Sequence, residues 1–149
     1  MILTIDCGKR CVGWAIFHHN GNLGHCGLWR EPSKRRPQNS SDVNWPIDKV
    51  VIELPQVYPQ MKGDPNDLIA ISARGAWFAG RMAPYIFDYE AVTPRQWKGT
   101  VDGDIFLTRI TKRLDERELG LLDTCGAIDS LKHNVIDAIG LGLWKVGRL

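Results

Sequence analysis

No excess of one charge marks this sequence: 19 Lys and Arg stand against 17 Asp and Glu, a formal net charge of +2. A polyanion is not attracted from every side by so small a charge, so any contact with nucleic acid must come from local clusters of Lys and Arg. Long apolar runs are missing as well. The most apolar stretch, Val135 to Val146, is broken by Asp137 and Lys145 and falls short of the roughly 18 residues that mark a membrane span. No membrane span is expected. The amino-terminal Met1 to Asp6 enters strand-like sequence without a basic region or cleavage site, so no secretory signal is expected and the expected location is the cytoplasm. Cysteine is sparse, with Cys7, Cys11, Cys26 and Cys125 alone. In a chain long enough for a real core and a reducing compartment they read as thiols rather than disulfides. Neither a repeat nor a low-complexity tract is visible.

What is present is apolar and aromatic surface: 44% hydrophobic residues and six tryptophans in 149 residues. That composition excludes a disordered chain and suits a single domain over residues 1–149. Residues 2–6 and 12–17 read as strands around a turn at Cys7-Gly8-Lys9-Arg10, and the Asn20-Gly21 dipeptide turns the chain into a third strand over 23–29. The glycines of this region, Gly8, Gly13, Gly21, Gly24 and Gly27, read as hairpin turns rather than a phosphate cradle, because no Gly-rich loop leads from a strand into a helix. Residues 30–46 are polar and Pro-rich, a loop or a very short helix. Lys49 to Leu54 is a continuous apolar run ending in an acid and stopped by Pro55, the pattern of a parallel strand buried on both faces. Asp64 and Pro65 start a helix running towards Met82. A strand over 85–92, a helical turn over 94–98, a helix over 104–114, a weak helix over 116–125 and a last helix capped by Asp129 or Ser130 follow. The expected fold is α/β: a mixed five-stranded sheet, three strands antiparallel and the rest parallel, with helices on both faces.

Three acids stand in apolar surroundings. Asp6 ends the first strand, Glu53 ends the apolar strand, and Asp137 lies on the apolar face of the last helix formed by Val135, Ile136, Ile139, Leu143 and Val146. Burying an uncompensated carboxylate costs several kcal/mol, so each position needs a reason. Singly, ordinary reasons suffice: Asp6 caps a turn, Glu53 faces solvent, and Asp137 pairs with Lys132 or His133. Together, they suit a shared hard-oxygen site for Mg²⁺ or Mn²⁺. Two such ions about 4 Å apart activate water and stabilise the leaving oxygen of a phosphodiester.

The motifs Ile5-Asp6-Cys7-Gly8 with Gly13-Trp14-Ala15, Val51-Ile52-Glu53 and Asp137 to Leu143 follow in order, with Ala73-Arg74-Gly75 and Pro94-Arg95-Gln96-Trp97-Lys98 between them. Taken together, they resemble the RuvC family of Holliday-junction resolvases, of RNase H-like fold, and the short length is most similar to its phage-type members. The resemblance covers most of the chain. It implies a homodimer that cuts opposing strands of a four-way DNA junction with Mg²⁺. It further implies that Asp6, Glu53 and Asp137 are three of the family's four metal-binding acids, and that Lys98 is a basic residue near the scissile phosphate. The fourth acid has no counterpart: Asn134 stands three residues before Asp137, with His133 beside it. Both project to roughly the face of Asp137, His133 as a metal ligand or general base and Asn134 as a neutral oxygen ligand. The family's helix crossing the sheet is reduced to the 30–46 segment.

That segment carries Arg30, Lys34, Arg35 and Arg36, which suit phosphate contacts. Tyr58, Lys62, Arg74, Arg95, Trp97 and Lys98 are further candidates, the aromatics for stacking on splayed bases. Cys7, Cys11, His25 and Cys26 lack the paired spacing of a zinc site. Alternatives to the resolvase are a ribonuclease cutting RNA–DNA hybrids and a branched-DNA-binding protein that has lost efficient catalysis.

Overall fold

The computed structural model describes residues 1–30, 45–57, 64–85 and 88–149. Strands β1 (Ile2–Cys7), β2 (Cys11–Phe17) and β3 (Leu23–Arg30) form the antiparallel meander, and β4 (Lys49–Glu53) and β5 (Asp88–Val92) extend it. Strand order is β3-β2-β1-β4-β5, with β4 parallel to β1 and β5 parallel to β4. The sheet is the expected mixed one. Of the 85–92 run, Asp88–Val92 form β5 against Lys49–Glu53 of β4, Tyr85 is exposed in a turn, and 86–87 lie outside the described residues.

Alternation along the strands sends side chains to two separate cores. Leu3, Ile5, Val12, Ile16, Val50 and Ile52 pack under helix α1 (Pro65–Met82) with Phe78 and Ala79. On the opposite face Ala15, Phe17, Val51 and Val92 pack under helix α5 (Asp129–Lys145), which is joined there by α2 (Pro94–Trp97), α3 (Gly103–Thr111) and α4 (Glu116–Asp123). Helix α1 starts as its sequence dictates: the Asp64 carboxylate accepts from the amide of Asn66, and Pro65 occupies the first turn. Helix α5 does not. Its cap position is Ile128, without a side-chain cap, and Asp129 falls inside the first turn, where its charge still favours the positive end of the helix dipole. Nor is α5 apolar on one stripe alone: Asn134, Val135 and every residue from Ala138 to Leu143 are buried, so its second half is enclosed all round.

Of the glycines read as turns, Gly21 is one, with φ of 83°, and Gly8 lies between β1 and β2. Gly13, Gly24 and Gly27 are instead inside strands. A Cβ on Gly13 would overlap the main-chain oxygen of Asn134, so this glycine lets α5 lie directly on β2, while Gly24 and Gly27 make room for the rings of His18 and Trp14.

The meander, α4 and the carboxyl-terminal segment are tied together by a buried acid. Glu118 is 0% exposed. Its carboxylate accepts from the Leu23 amide at 2.8 Å, the Asp115 amide at 3.1 Å and the two Arg148 nitrogens at 2.7 and 2.8 Å. Arg148 also donates to the carbonyls of Gly21 and Arg113. Burial pushes the carboxyl up, but these donors outweigh it and hold the group down at about 2 against an ordinary 4.5. A folded-state value below the unfolded one stabilises the fold above about pH 4.5, and that contribution is lost as pH falls towards 2. Glu118→Gln is expected to lower stability by about 3 kcal/mol at pH 7, a deficit that shrinks as pH falls; urea unfolding at pH 7 and pH 3 checks both. Gly13→Ala, forcing a methyl against main chain that has no rotamer to change, is expected to cost about 3 kcal/mol or prevent folding, read by the same titration.

Candidate active site

Period-2 alternation already places two of the acids. Thr4 points to the α5 face, its hydroxyl donating to the Ala138 carbonyl at 2.7 Å, and Asp6, two residues on, points the same way. Glu53 follows Val51 to that face in the same manner. Because β1 and β4 are parallel neighbours, both acids emerge at the carboxyl edge of the sheet. Asp137 adjoins Ala138 on α5, so the Thr4 hydrogen bond holds it across that edge.

Two of the three carboxylates pair with one ammonium. Lys98, at the end of α2, stands 3.4 Å from Glu53 Oε2 and 3.6 Å from Asp137 Oδ2. Trp97 positions the same carboxylate from the other side, its indole N–H donating to Glu53 Oε2 at 2.6 Å. The site is largely closed to water: Asp6 is 8% exposed, and the side chains of Glu53 and Asp137 are 12% and 20% exposed.

Burial and mutual repulsion dominate the electrostatics. Asp6 is raised well above the usual carboxylate range by burial, then by the charges of Glu53 and Asp137, with Lys98 opposing. Burial also raises Glu53, against Lys98 and the Trp97 hydrogen bond, and raises Asp137, against Lys98 and His133. For Lys98 burial favours the neutral amine, but the three acids overcome it and lift its pKa. One cation therefore serves three buried carboxylates, and the cluster is short of positive charge. Three hard oxygen donors with that deficit fit a divalent cation in chemistry. Glu53 and Asp137 flank the Lys98 ammonium and Asp6 does not reach it, and among the described residues no group of three ligating side chains closes around a common point.

The remaining candidates are scattered. Asn134 is 6% exposed and is drawn into packing, its amide donating to the Leu131 carbonyl at 3.3 Å and its side-chain oxygen lying against Gly8. His133 is exposed, with Nε2 at 3.1 Å from the Asn134 amide nitrogen, and its charge reaches Asp137. Lys132 pairs with Asp123 at 2.9 Å, not with Asp137. Arg74 reaches the β1–β2 turn, donating to the Gly8 carbonyl at 3.2 Å. Arg30 ends β3 and Arg95 lies on α2, both exposed. Lys34, Arg35, Arg36, Tyr58 and Lys62 fall outside the described residues. Cys7, Cys11, Cys26 and Cys125 are free thiols, and burial pushes Cys7 and Cys26 up to about 12. Trp97, expected as a stacking or core residue, is also the donor to Glu53, a role that its sequence signalled only by its place immediately before Lys98.

No family model and no curated protein matches the sequence. The structure is similar to two structures of RuvC from Thermus thermophilus. One, in complex with Holliday junction substrate, has a TM-score of 0.59 and 14% identity and is aligned over 96% of this chain and 90% of its own. The other has a TM-score of 0.55 and 14% identity, over 96% and 91% of the two chains. Fowlpox virus resolvase, in complex with Holliday junction DNA, is similar over the full length of both chains, with a TM-score of 0.53 and 16% identity. The chain thus has a RuvC-like fold, a mixed five-stranded sheet with helices on both faces.

Carboxylates whose pKa is raised on folding subtract stability at neutral pH and subtract less as they protonate. Asp6→Asn is therefore expected to raise the Tm of the metal-free protein at pH 7 by about 3 °C, roughly 1 kcal/mol, with a smaller gain near pH 5. Millimolar Mg²⁺ is expected to raise the Tm of the unsubstituted protein and leave the variant unmoved. Thermal melts in EDTA and in Mg²⁺ measure both.

Proposed function

We propose that this protein is a metal-dependent endonuclease that hydrolyses phosphodiesters in branched DNA, four-way junctions above all, and acts as a homodimer so that two strands are cut. The observation that carries the reading is that three distant segments bring Asp6, Glu53 and Asp137 to one edge of the sheet as buried carboxylates, with Lys98 paired to two of them, at a burial cost that no packing role repays. The likeness in fold to two resolvases, each solved with Holliday junction DNA, supports the substrate class. So does the retention of most of the chain's length in those alignments.

In this reading Asp6, Glu53 and Asp137 would hold two Mg²⁺ or Mn²⁺ ions. When bound, these supply an activated water and neutralise charge on the phosphodiester. The chain's own groups do the positioning. Trp97 fixes the rotamer of Glu53 through its indole N–H. Lys98, held at the rim of the acids, donates to a non-bridging phosphate oxygen as the strand approaches. His133, exposed and one helical turn before Asp137, is the proposed general base. Asn134, buried under the β1–β2 turn, contributes no charge, so the site works with three acids. Arg30 and Arg95, with Lys34, Arg35, Arg36, Tyr58, Lys62 and Arg74, complete the proposed DNA contacts.

End-labelled four-way junction, linear duplex and RNA–DNA hybrid, incubated with the protein in Mg²⁺, Mn²⁺ or EDTA, test the reading. The expected result is paired, symmetric nicks in the junction alone, lost in EDTA and reduced at least about 10²-fold by Asp6→Asn. Junction affinity of that variant should be equal or tighter, because a carboxylate facing phosphate is gone. Cleavage of the hybrid alone would replace the resolvase with a ribonuclease, and tight junction binding without cleavage would leave a DNA-binding protein of this fold.

A further inference from the structure

A cavity of about 640 Å³ is lined in part by Trp97 and Lys98, the two residues that contact Glu53, and its volume is within the ~300–1,000 Å³ that accommodates a small organic group. Its floor is aromatic: Trp97 and Phe106 are buried and meet edge to face, 5.1 Å between centroids at 72°. Trp144 of α5, half-buried, forms part of the wall. The rim is basic. Arg109 on α3 and Lys112 and Arg113 in the turn that follows it are exposed and all line the cavity.

These three cations differ from others in the molecule. Lys49, Lys132, Lys145 and Arg148 each face a carboxylate within 2.9 Å. Among the described residues Arg109, Lys112 and Arg113 have no hydrogen-bond or ion-pair partner for their side chains. An unneutralised triad over an aromatic cavity suits an anion that carries a flat apolar ring. The volume suits one base rather than a duplex, and because Lys98 both lines the cavity and pairs with Glu53 and Asp137, the cavity adjoins the place where a scissile phosphate would lie.

We infer that this cavity seats an unpaired nucleotide of the DNA strand whose neighbouring phosphate is presented to Asp6, Glu53 and Asp137. Its base lies against Trp144, and its phosphates lie on Arg109, Lys112 and Arg113. The inference rests on the nuclease reading for the identity of the strand, and the seat itself is testable apart from cleavage. It makes local melting at a branch point part of substrate recognition: a strand that cannot release a base does not fill the cavity.

An eight-nucleotide single strand with a central 2-aminopurine is the probe. It would be titrated into the protein, into Asp6→Asn, into the double variant Arg109→Gln/Arg113→Gln and into Arg10→Gln/Arg81→Gln, which removes equal charge elsewhere. All four substituted positions of the double variants are exposed, and matched melting curves establish that each folds. The seat predicts quenching of 2-aminopurine by the unsubstituted protein and by Asp6→Asn. For Arg109→Gln/Arg113→Gln it predicts affinity down at least tenfold, quenching lost, and a salt slope shallower by roughly 1.4, about 0.7 for each phosphate left without its arginine. The Arg10/Arg81 control should change less than twofold. Equal losses in both double variants, or an Arg109/Arg113 variant within twofold of the unsubstituted protein, overturn the seat. Equally tight binding of deoxythymidine monophosphate overturns it in favour of a small-molecule pocket. If quenching depends on Arg109 and Arg113 but no branched DNA is cut, the nuclease reading falls and the seat stands; cleavage without quenching has the opposite meaning.

Discussion

Helix α5 lies on β1 and β2 at main-chain contact, and the rest of the site hangs on that approach. Gly13 offers no Cβ to the carbonyl of Asn134, and Thr4, buried in a strand, gives its hydroxyl to the carbonyl of Ala138. The two contacts bracket Asp137 and bring it to the edge where β1 and β4 release Asp6 and Glu53. A larger residue at Gly13 would lift the helix and widen the gap between the acids. The same closeness explains why the second half of α5 is buried all round: a helix seated this deep, with α3 packed beside it, leaves no solvent face.

Two sets of buried acids show how differently the fold treats negative charge. Glu118 receives four hydrogen bonds from Leu23, Asp115 and Arg148, and its pKa falls to about 2 although burial opposes it. The Asp6, Glu53 and Asp137 carboxylates share one lysine and one indole N–H, and their pKa values rise. A satisfied buried acid is a fastener, joining the first meander to the end of the chain. Under-compensated acids that stay buried hold repulsion in reserve, which a bound cation relieves. This contrast, more than the presence of acids as such, is what sets the carboxyl edge of the sheet apart from the rest of the fold.

Much of the fold was legible because its signals are local. The β4 run ending at Pro55, the Asp64-Pro65 helix start and the order of strands and helices each follow from a few adjacent residues. The three acids stood out because carboxylates in apolar sequence are costly wherever the chain puts them. The misreadings share a cause. Gly13, Gly24 and Gly27 looked like turns, but their role is to admit Asn134, His18 and Trp14 from other parts of the chain. Glu118 sits in a polar, weakly helical stretch where nothing nearby announces burial, since its partners Leu23 and Arg148 are 95 and 30 residues away.

The sequence by itself determined which residues carry unusual cost and which elements present them: an acid at the end of each of two strands, an acid on the last helix, and a lysine just after Trp97. These follow from periodicity and from the free energy of burying charge, which depend on near neighbours alone. Only the tertiary structure decided that Lys98 stands between Glu53 and Asp137, that Trp97 holds Glu53 in place, and that Arg109, Lys112 and Arg113 edge a cavity opening beside them. Each of those facts requires segments tens of residues apart to be brought within a few ångströms. Their distances are set by how closely α5 and α3 pack on the sheet, and that packing depends on the shapes of all the faces at once.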